Sequence, residues 1–375
     1  MIVLKDVLGP TPELDRTTYR PLIFRADQAD DRARLAELVK RTPGLRVHDT
    51  LHGQLRELVR TLHPDRTYTP AELDAAAVAH LQGIDPEHYG VWVFYPWNDR
   101  LVHLLGEDEF VRVRTDRNRN KITSEEQALL RTKRVGVVGL SVGQSAALVL
   151  AMERCCGELR LADFDDLELS NLNRIRSGVH EMGVPKVVNT AREIAELDPF
   201  LQVTLFPEGL TRANMEAFFT GGGRLDLLVE ECDSVDIKVL ARLKARELGI
   251  PVVMDTSDRG LIDVERYDLE PDRPLLHGLL EGLDLSLLDR PMTNLEKLPF
   301  MAQIVGLDTI SERMRASLPE MGKTIVTWPQ LASGVALGGA LVTDVGRRLL
   351  LGLPLASGRW WIDIEELTRP DPNHP

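Results

Sequence analysis

Apolar residues recur at helical spacing over Asp31–Lys40, over Leu51–Arg60 and, behind a Pro70 suited to a helix N-terminus, over Ala71–Leu81. The period then drops to two. Val91–Tyr95 and Leu101–Leu105 alternate and carry aromatic or branched residues, with Pro96–Arg100 as the turn between them. Residues from about Leu22 to Leu105 therefore predict a small α/β unit, a hairpin with helices on one side.

From Lys133 the pattern changes. Arg134–Gly139 is a short apolar β run ending in glycine, Ser145–Arg154 is helical, and Glu158–Ala162 is a second β run ending at Asp163. Strand, glycine turn, helix, strand and terminal acid make a βαβ unit. The alternation continues with helix over Lys186–Leu197, strand over Gln202–Phe206, strand over Leu225–Val229, helix over Val235–Leu248 and strand over Pro251–Met254. Parallel strands need crossover helices, so the prediction is an α/β fold: a Rossmann-like, doubly wound, mostly parallel sheet with helices on both faces, plus the small N-terminal α/β domain. Leu331–Leu350 closes it as a packed helix rich in Gly and Ala. The expected boundaries are 1–110 for the N-terminal domain, 111–365 for the large domain and 366–375 for a flexible tail.

Composition narrows the partners. The chain has 375 residues, 43% hydrophobic and 27% charged, and a formal net charge of −13, a poor electrostatic match for nucleic acid. Its basic stretch is local, Arg112–Lys121. The three cysteines, Cys155, Cys156 and Cys232, form no CxxC pair, so neither a disulfide framework nor a structural zinc site is expected. His48, His52, His63 and His80 lack metal-ligand pairing. Met1–Asp6 lacks a signal-peptide pattern, and no run is long enough to span a bilayer, so the expected compartment is the cytoplasm.

The candidate chemistry starts at the turn Gly139-Leu-Ser-Val-Gly143-Gln-Ser145. Small residues there let backbone N–H groups and a helix N-terminus meet phosphate. Ser141 and Gln144 stand where a clean dinucleotide turn has glycine, so alone it fits a nucleotide site or a merely structural tight turn. Asp163, at the end of the second strand, suits a carboxylate accepting both ribose hydroxyls. Then come Asp163-Phe-Asp-Asp-Leu-Glu-Leu-Ser-Asn-Leu-Asn-Arg174, Gly183-Val-Pro-Lys186 and Glu230-Glu-Cys-Asp233-Ser. Taken singly, Arg174 and Lys186 are equally readable as surface cations paired with the acidic run, and Asp233 as the cap of the helix behind it.

Taken together, these motifs resemble the ThiF/MoeB/E1 superfamily of adenylyltransferases, in order and spacing, over roughly Lys121–Leu197 and on to Lys238. The wider chain, with Tyr95-Pro-Trp97 and Arg117-Asn-Arg-Asn-Lys-Ile-Thr123, is similar to bacterial ThiF-like proteins often fused to a nitroreductase-type domain; no such domain is expected within this sequence. The resemblance implies a cytoplasmic enzyme that uses ATP and Mg²⁺ to adenylate a carboxylate and release pyrophosphate. The nucleotide would lie against Gly139, Ser141, Gly143, Asp163 and Asp165, with Asp163 on the ribose. Asn171, Arg174 and Lys186 would grip the triphosphate, and Asp233 would coordinate Mg²⁺. Arg174, Lys186 and Asp233 are thus the implied catalytic set. The implied acceptor is the C-terminus of a carrier protein or of a peptide, the latter with Leu22–Leu105 as a peptide-holding domain. A homodimer is implied as well.

The sequence departs from the family pattern in five places. Val142 and Gln144 enlarge the glycine turn. The position of an arginine that reaches across the dimer carries Asn120, leaving Arg117 and Arg119 as candidates beside it, with a solvated basic loop as the other reading. Ser234 replaces an asparagine. The zinc-binding CxxC pairs are missing. No cysteine lies in Glu281–Thr327, so a thioester relay is not expected, and Cys232 reads as a buried strand-end residue. Two other functions use the same elements: an NAD-dependent oxidoreductase, and a nucleotide-binding scaffold without turnover.

Overall fold

The computed structural model describes residues 13–290, 293–306 and 308–369. Met1–Asp6 and the last residues of the expected tail, 370–375, lie outside them.

Two sheets organise the chain. In the first, of order β1-β3-β4-β2, the strands are β1 (Leu22–Arg25), β2 (Arg46–Asp49), β3 (Val91–Tyr95) and β4 (Arg100–Leu104). β3 and β4 form the expected hairpin, with Val93 opposite Val102. β1 adds antiparallel to β3 and β2 adds parallel to β4, so the hairpin is the centre of a sheet. The outer strands are four residues each and β2 is exposed along its whole length, which leaves no alternating apolar signal. The expectation of helices on one side is corrected. Helix α1 (Ala29–Arg41) sets Leu35 and Leu38 on Phe24, Phe94 and Leu101. Helices α2 (Leu51–Leu62) and α3 (Pro70–His80) pack together around Leu105 with Phe110, the residue that also meets Val91, Val93 and Tyr95 on the opposite face. α3 begins where Pro70 predicts, on a capping box in which Thr69 and Glu72 satisfy each other's backbone N–H groups.

Helices α4 (Glu107–Arg114) and α5 (Ser124–Leu130) lead into the larger sheet. Its order is β11-β10-β9-β8-β5-β6-β7. β5 (Arg134–Val138), β6 (Glu158–Ala162), β7 (Gln202–Phe206), β8 (Leu227–Glu230) and β9 (Val252–Thr256) are parallel. β10 (Leu261–Glu265) and β11 (Gly358–Trp361) extend it antiparallel, an extension not read from the sequence. The central strands are largely apolar because both faces are covered, while β6 buries the ion pair Glu158–Arg160 and the edge strand β7 is only partly buried. Val135, Val137, Leu159 and Leu161 point to α6 (Gly143–Glu153) and α7 (Lys186–Leu197). Val138, Ala162 and Leu228 point to α8 (Met215–Thr220) and α9 (Val235–Glu247). Gly136 has no room for a side chain: a Cβ there would stand 2.6 Å from Leu225 and 2.8 Å from Phe218.

Helices α10 (Asn294–Val305) and α11 (Glu312–Ser317) follow β10, and α12 (Ala332–Leu350) packs along α6 and the end of β9 before β11 and α13 (Ile364–Leu367). Gly338 and Gly339 allow that approach, since Cβ atoms there would meet Asp255 Oδ2 at 2.0 Å and Ser145 Oγ at 2.3 Å. The two sheets are joined by Phe110 against Phe200, by Trp97 and Asn98 donating to Glu196, and by Arg114 donating to Asp198.

Candidate active site

β5 is the first strand of the parallel set, and the next strands go to either side of it: β6 and β7 one way, β8 and β9 the other. At that reversal the loops after β5 and β8 diverge and leave a crevice at the carboxyl ends of the strands, where open α/β sheets bind ligands.

The glycine turn follows β5. Gly139 has φ +84°, and a Cβ would lie 2.6–2.8 Å from the backbone of Glu231 and Cys232. Only glycine lets this turn close onto the end of β8. Gly143 opens α6 with its own Cβ position 2.9 Å from Val137, and in this first turn, next to Ser141 and Val142, the Ser145 N–H donates to the Val142 carbonyl at 3.0 Å. Gln144 proves not to intrude on the turn. Its amide clamps Arg176, accepting from the Arg176 N–H at 2.7 Å and donating to its carbonyl at 3.1 Å. The third-glycine position is thus used to hold the Asn171–Arg174 segment against the helix.

Several sequence-predicted residues meet here. Gly139, Ser141, Asp163, Asp165 and Asp233 line one cleft, together with Phe164, Gly209 and Leu210. Asp163 is buried, accepting from Leu140 N–H at 2.6 Å and Asp165 N–H at 2.8 Å. Burial raises its pKa against those hydrogen bonds and the charge of Lys186. Lys186, also buried, donates to Asp165 at 2.8 Å, and the Asp165 carbonyl accepts its backbone N–H. Arg174 donates to Ser141 Oγ from Nε and Nη2 and to Asn173 from Nη1. Its partial burial lowers its pKa, with Asp233 pulling the other way. Asn171 is buried and its side-chain oxygen accepts from Glu168 N–H, so part of its amide is spent shaping the loop.

Asp233 is not a helix cap. The N-cap of α9 is Ser234, and no side chain closes it. Among the described residues no hydrogen bond or ion pair holds the Asp233 carboxylate, which opens into the cleft. Burial by the surrounding walls raises its pKa; Lys238 lowers it, Glu230 raises it, and Lys186 and Arg174 lower it. Such a free carboxylate oxygen is a fitting hard ligand for Mg²⁺, which takes one or two carboxylates beside phosphates and water.

Arg117 and Arg119 lie elsewhere. Both are exposed, and Asn118 between them donates to Glu153 at the C-terminal end of α6. Eleven residues of helix, roughly 16 Å, separate that end from the glycine turn. Asn120 has φ +71°, a backbone that asparagine adopts more readily than most residues.

The structure adds residues that sequence reasoning missed. Behind Asp233, the buried Glu230 accepts from Lys238 at 2.7 Å and from Arg242, and Arg242 also donates to Glu265 at 2.5 Å. Next to Glu230, Glu231 pairs with Asp255 at the end of β9. Burial raises both carboxyls, Glu231 further through the charge of Asp255. The signal was present: acidic residues close two apolar runs, and the carboxyl ends of parallel strands are where such sheets bind. Ser141, Arg174, Glu231 and Asp233 also border a larger cavity walled by α10, α11 and the stretch 327–330.

Residues 115–260 match the model described as the ThiF family. Residues 115–260 thus form a ThiF-family domain, and the similar proteins support the ThiF/MoeB/E1-like superfamily. An uncharacterized protein of Mycobacterium tuberculosis (strain CDC 1551 / Oshkosh) is 50% identical over 273 residues, 73% of this chain and 38% of that protein. The tRNA threonylcarbamoyladenosine dehydratase of Bacillus subtilis is 26% identical over 246 residues, 61% of this chain and 93% of that enzyme. The chain thus spans well under half the length of the first of these relatives. Among solved structures, the tRNA N6-threonylcarbamoyladenosine dehydratase of E. coli has a TM-score of 0.46 at 18% identity, over 64% of this chain and 95% of that one. A likeness at that level adds nothing to what the sheet order already establishes.

Proposed function

We propose that this ThiF-family chain adenylates a carboxylate, consuming ATP and releasing pyrophosphate. The observation that carries the reading is the convergence, at the switch point of one sheet, of a helix N-terminus, the cations Arg174 and Lys186, and the open carboxylate of Asp233. In the reaction an acceptor carboxylate oxygen attacks the α-phosphorus, the bond to the β-phosphate oxygen breaks, and pyrophosphate leaves. Asp163 orients the ribose. Negative charge builds on non-bridging and leaving oxygens, and Arg174, Lys186 and the first turn of α6 stabilise it where it develops. Mg²⁺, when held by Asp233, supplies the same charge stabilisation on the phosphates. Asn171 adds an amide N–H donor on the phosphate side.

The acceptor we propose is a C-terminal carboxylate of a carrier protein or peptide, with the β1–β4 sheet available to hold an extended segment. The Bacillus relative is named for a tRNA base; a net charge of −13 works against that acceptor here. Arg117 and Arg119, remote from their own turn, would act on nucleotide only across a homodimer. The cytoplasm is the proposed compartment, supported by three free thiols, two of them buried.

The test is thermal unfolding with Mg·ATP against NAD⁺ and ligand-free controls, followed by ATP–pyrophosphate exchange with candidate acceptors. Ligand at a hundred times its dissociation constant adds about 2.7 kcal/mol. A shift with Mg·ATP supports adenylation. A shift with NAD⁺ alone makes the chain an oxidoreductase, and nucleotide binding without exchange makes it a scaffold.

A further inference from the structure

The larger cavity opens from the nucleotide cleft. Ser141, Glu231, Cys232 and Asp233 line both, and Arg174, docked on Ser141, lines the cavity where the two meet. Beyond that junction the wall is apolar. Met301 and Ile304 share one face of α10, Ile310 and Met314 come from the start of α11, and Trp328 and Trp361 complete it.

Polar groups along this wall are spent on one another. Thr256 Oγ1 donates to the Asp258 carbonyl at 3.0 Å and Thr309 Oγ1 to the Gly306 carbonyl at 2.8 Å. The Asp258 carboxylate accepts from Ser311 N–H at 2.8 Å and from Ser311 Oγ at 2.7 Å. Asp255 is occluded beneath Gly338, and Lys238 is bound to Glu230. The wall is also anchored to the rest of the fold. Asn173, beside Arg174, donates to the Gln330 carbonyl at 2.8 Å, Arg359 to the Ile304 carbonyl at 3.0 Å and Arg259 to the Thr309 carbonyl at 2.8 Å. A cavity held in this way is formed before its ligand arrives, which lowers the ordering cost of binding.

We propose that this cavity receives a bulky apolar side chain carried by the same acceptor residue whose carboxylate is adenylated. The acceptor is then a chain ending in a residue of phenylalanine or leucine size, not in glycine. This rests on the adenylation reading of the adjoining cleft. Three arguments support it. The cavity begins at Arg174 and Asp233, so a carboxylate brought to the phosphates there has its own side chain at the cavity mouth. The cavity volume is 190 Å³, larger than the roughly 150 Å³ at which an apolar cavity holds a benzene ring. An acidic side chain would enter past Glu231 and Asp233 against like charge, whereas an apolar one gains by leaving water, and the flexible thioethers of Met301 and Met314 can fit its shape.

The probes are acetyl-Ala-Phe, acetyl-Phe-Gly and acetyl-Ala-Gly, which share a terminal carboxylate and differ in whether, and where, they carry a phenyl ring. Titration calorimetry on the whole chain compares them. Acetyl-Ala-Phe should bind saturably and about 10- to 100-fold tighter than the other two, the worth of burying one such side chain. Equal affinities for all three, or for the two phenyl peptides, overturn the proposal. Met314 is half-buried, and Met314→Trp fills the cavity from its wall. That variant should bind acetyl-Ala-Phe about tenfold more weakly or worse, and an unchanged affinity overturns the proposal as well; the peptide comparison on the wild-type chain needs no variant. Thermal unfolding with Mg·ATP and pyrophosphate exchange on the same samples report on the cleft separately. Selective binding of acetyl-Ala-Phe without either response removes the adenylation reading, and with it the assignment of the peptide as acceptor. A nucleotide response without peptide selectivity removes only this proposal.

Discussion

Arg174 donates to the Ser141 hydroxyl from Nε at 3.2 Å and from Nη2 at 2.8 Å. The cation expected at the triphosphate is therefore docked on the residue that stands in place of a turn glycine, which turns an apparent defect of the motif into a support. A guanidinium held in place loses less rotamer freedom on meeting phosphate. Ser141→Ala should raise KM for ATP about 2- to 10-fold, the worth of one such hydrogen bond, and leave kcat within twofold. Steady-state kinetics with the acceptor fixed checks this, and a fall in KM would mean that the serine obstructs the nucleotide.

Removing the charged groups themselves should act on the chemical step. Arg174→Ala and Lys186→Ala each should lower kcat/KM by about 100- to 1000-fold, from the roughly 2.7–4 kcal/mol that one such stabilising group contributes. Lys186 is buried against Asp165, so Lys186→Ala also leaves a carboxylate without its partner and should unfold earlier; Arg174→Ala should not. Asp233→Ala should lose the Mg²⁺ dependence of ATP binding while keeping its unfolding temperature, because among the described residues no hydrogen bond uses that carboxylate. Equal unfolding temperatures for all three would show that the Lys186–Asp165 pair does not support the fold.

Much of this was legible in the sequence, for physical reasons. The central parallel strands are buried on both faces and so read as short, largely apolar runs, with acids closing β8 and near the end of β9. The glycine turn, the Asp163–Arg174 segment and Gly183–Lys186 each occupy short stretches whose residue types are tied to one local geometry. What stayed hidden depends on contacts distant in sequence. β2 is exposed on both faces and is recognised only by its pairing with β4, through the backbone ladder and the contact of Asp49 with His103 Nδ1 at 3.1 Å among the described residues. β11 joins β10 across almost a hundred residues. Gln144 reads as an obstruction until its amide is seen gripping Arg176. Glu231 and Asp255 come together only because β8 and β9 are neighbours, a fact of topology that neither segment carries alone.

Gly338 tests the packing behind the acid pair. Helix propensity favours alanine over glycine by about 1 kcal/mol, yet a Cβ would stand 2.0 Å from Asp255 Oδ2. The steric cost should win, leaving Gly338→Ala destabilised by about 1–3 kcal/mol in urea unfolding. In an Asp255→Ala background the carboxylate is gone, and the same substitution should become neutral or stabilising. An additive double variant would show that the helix adjusts without feeling Asp255.

The thiols should be inert. Cys155 and Cys156 are fully buried, and burial raises both, Cys156 to about 12. Cys232 lines the nucleotide cleft but is raised well above its ordinary value by burial and by Glu230. A thiol with so little thiolate is a poor nucleophile. Iodoacetamide at pH 7.5 should label none of them in the folded protein and all three in urea. Rapid labelling of Cys232 in the native state would reopen a thioester route.

The acid pair also sets a pH dependence whose sign is opposite to that of an ordinary ion pair. Asp255 is raised to about 7 in the folded chain, against roughly 3.9 when unfolded. Between those values the folded state keeps a proton that the unfolded state has released. Stability therefore falls as pH rises through this window, by up to about 1.4 kcal/mol per pH unit for one proton, and levels off above it. Glu231, raised as well, acts in the same direction. Glu230 does not compete: although burial works against it, Lys238 and Arg242 hold it at about 2, so its contribution is lost only in stronger acid. Asp255→Asn keeps the shape and removes the titration. Its stability should be flatter than wild type between pH 5 and pH 7.5 and, at pH 8, higher by about 1–3 kcal/mol, the scale of relieving a buried charge without a donor. Urea unfolding at half-unit pH intervals measures both slopes. Parallel curves would mean that the two carboxyls do not share their burial.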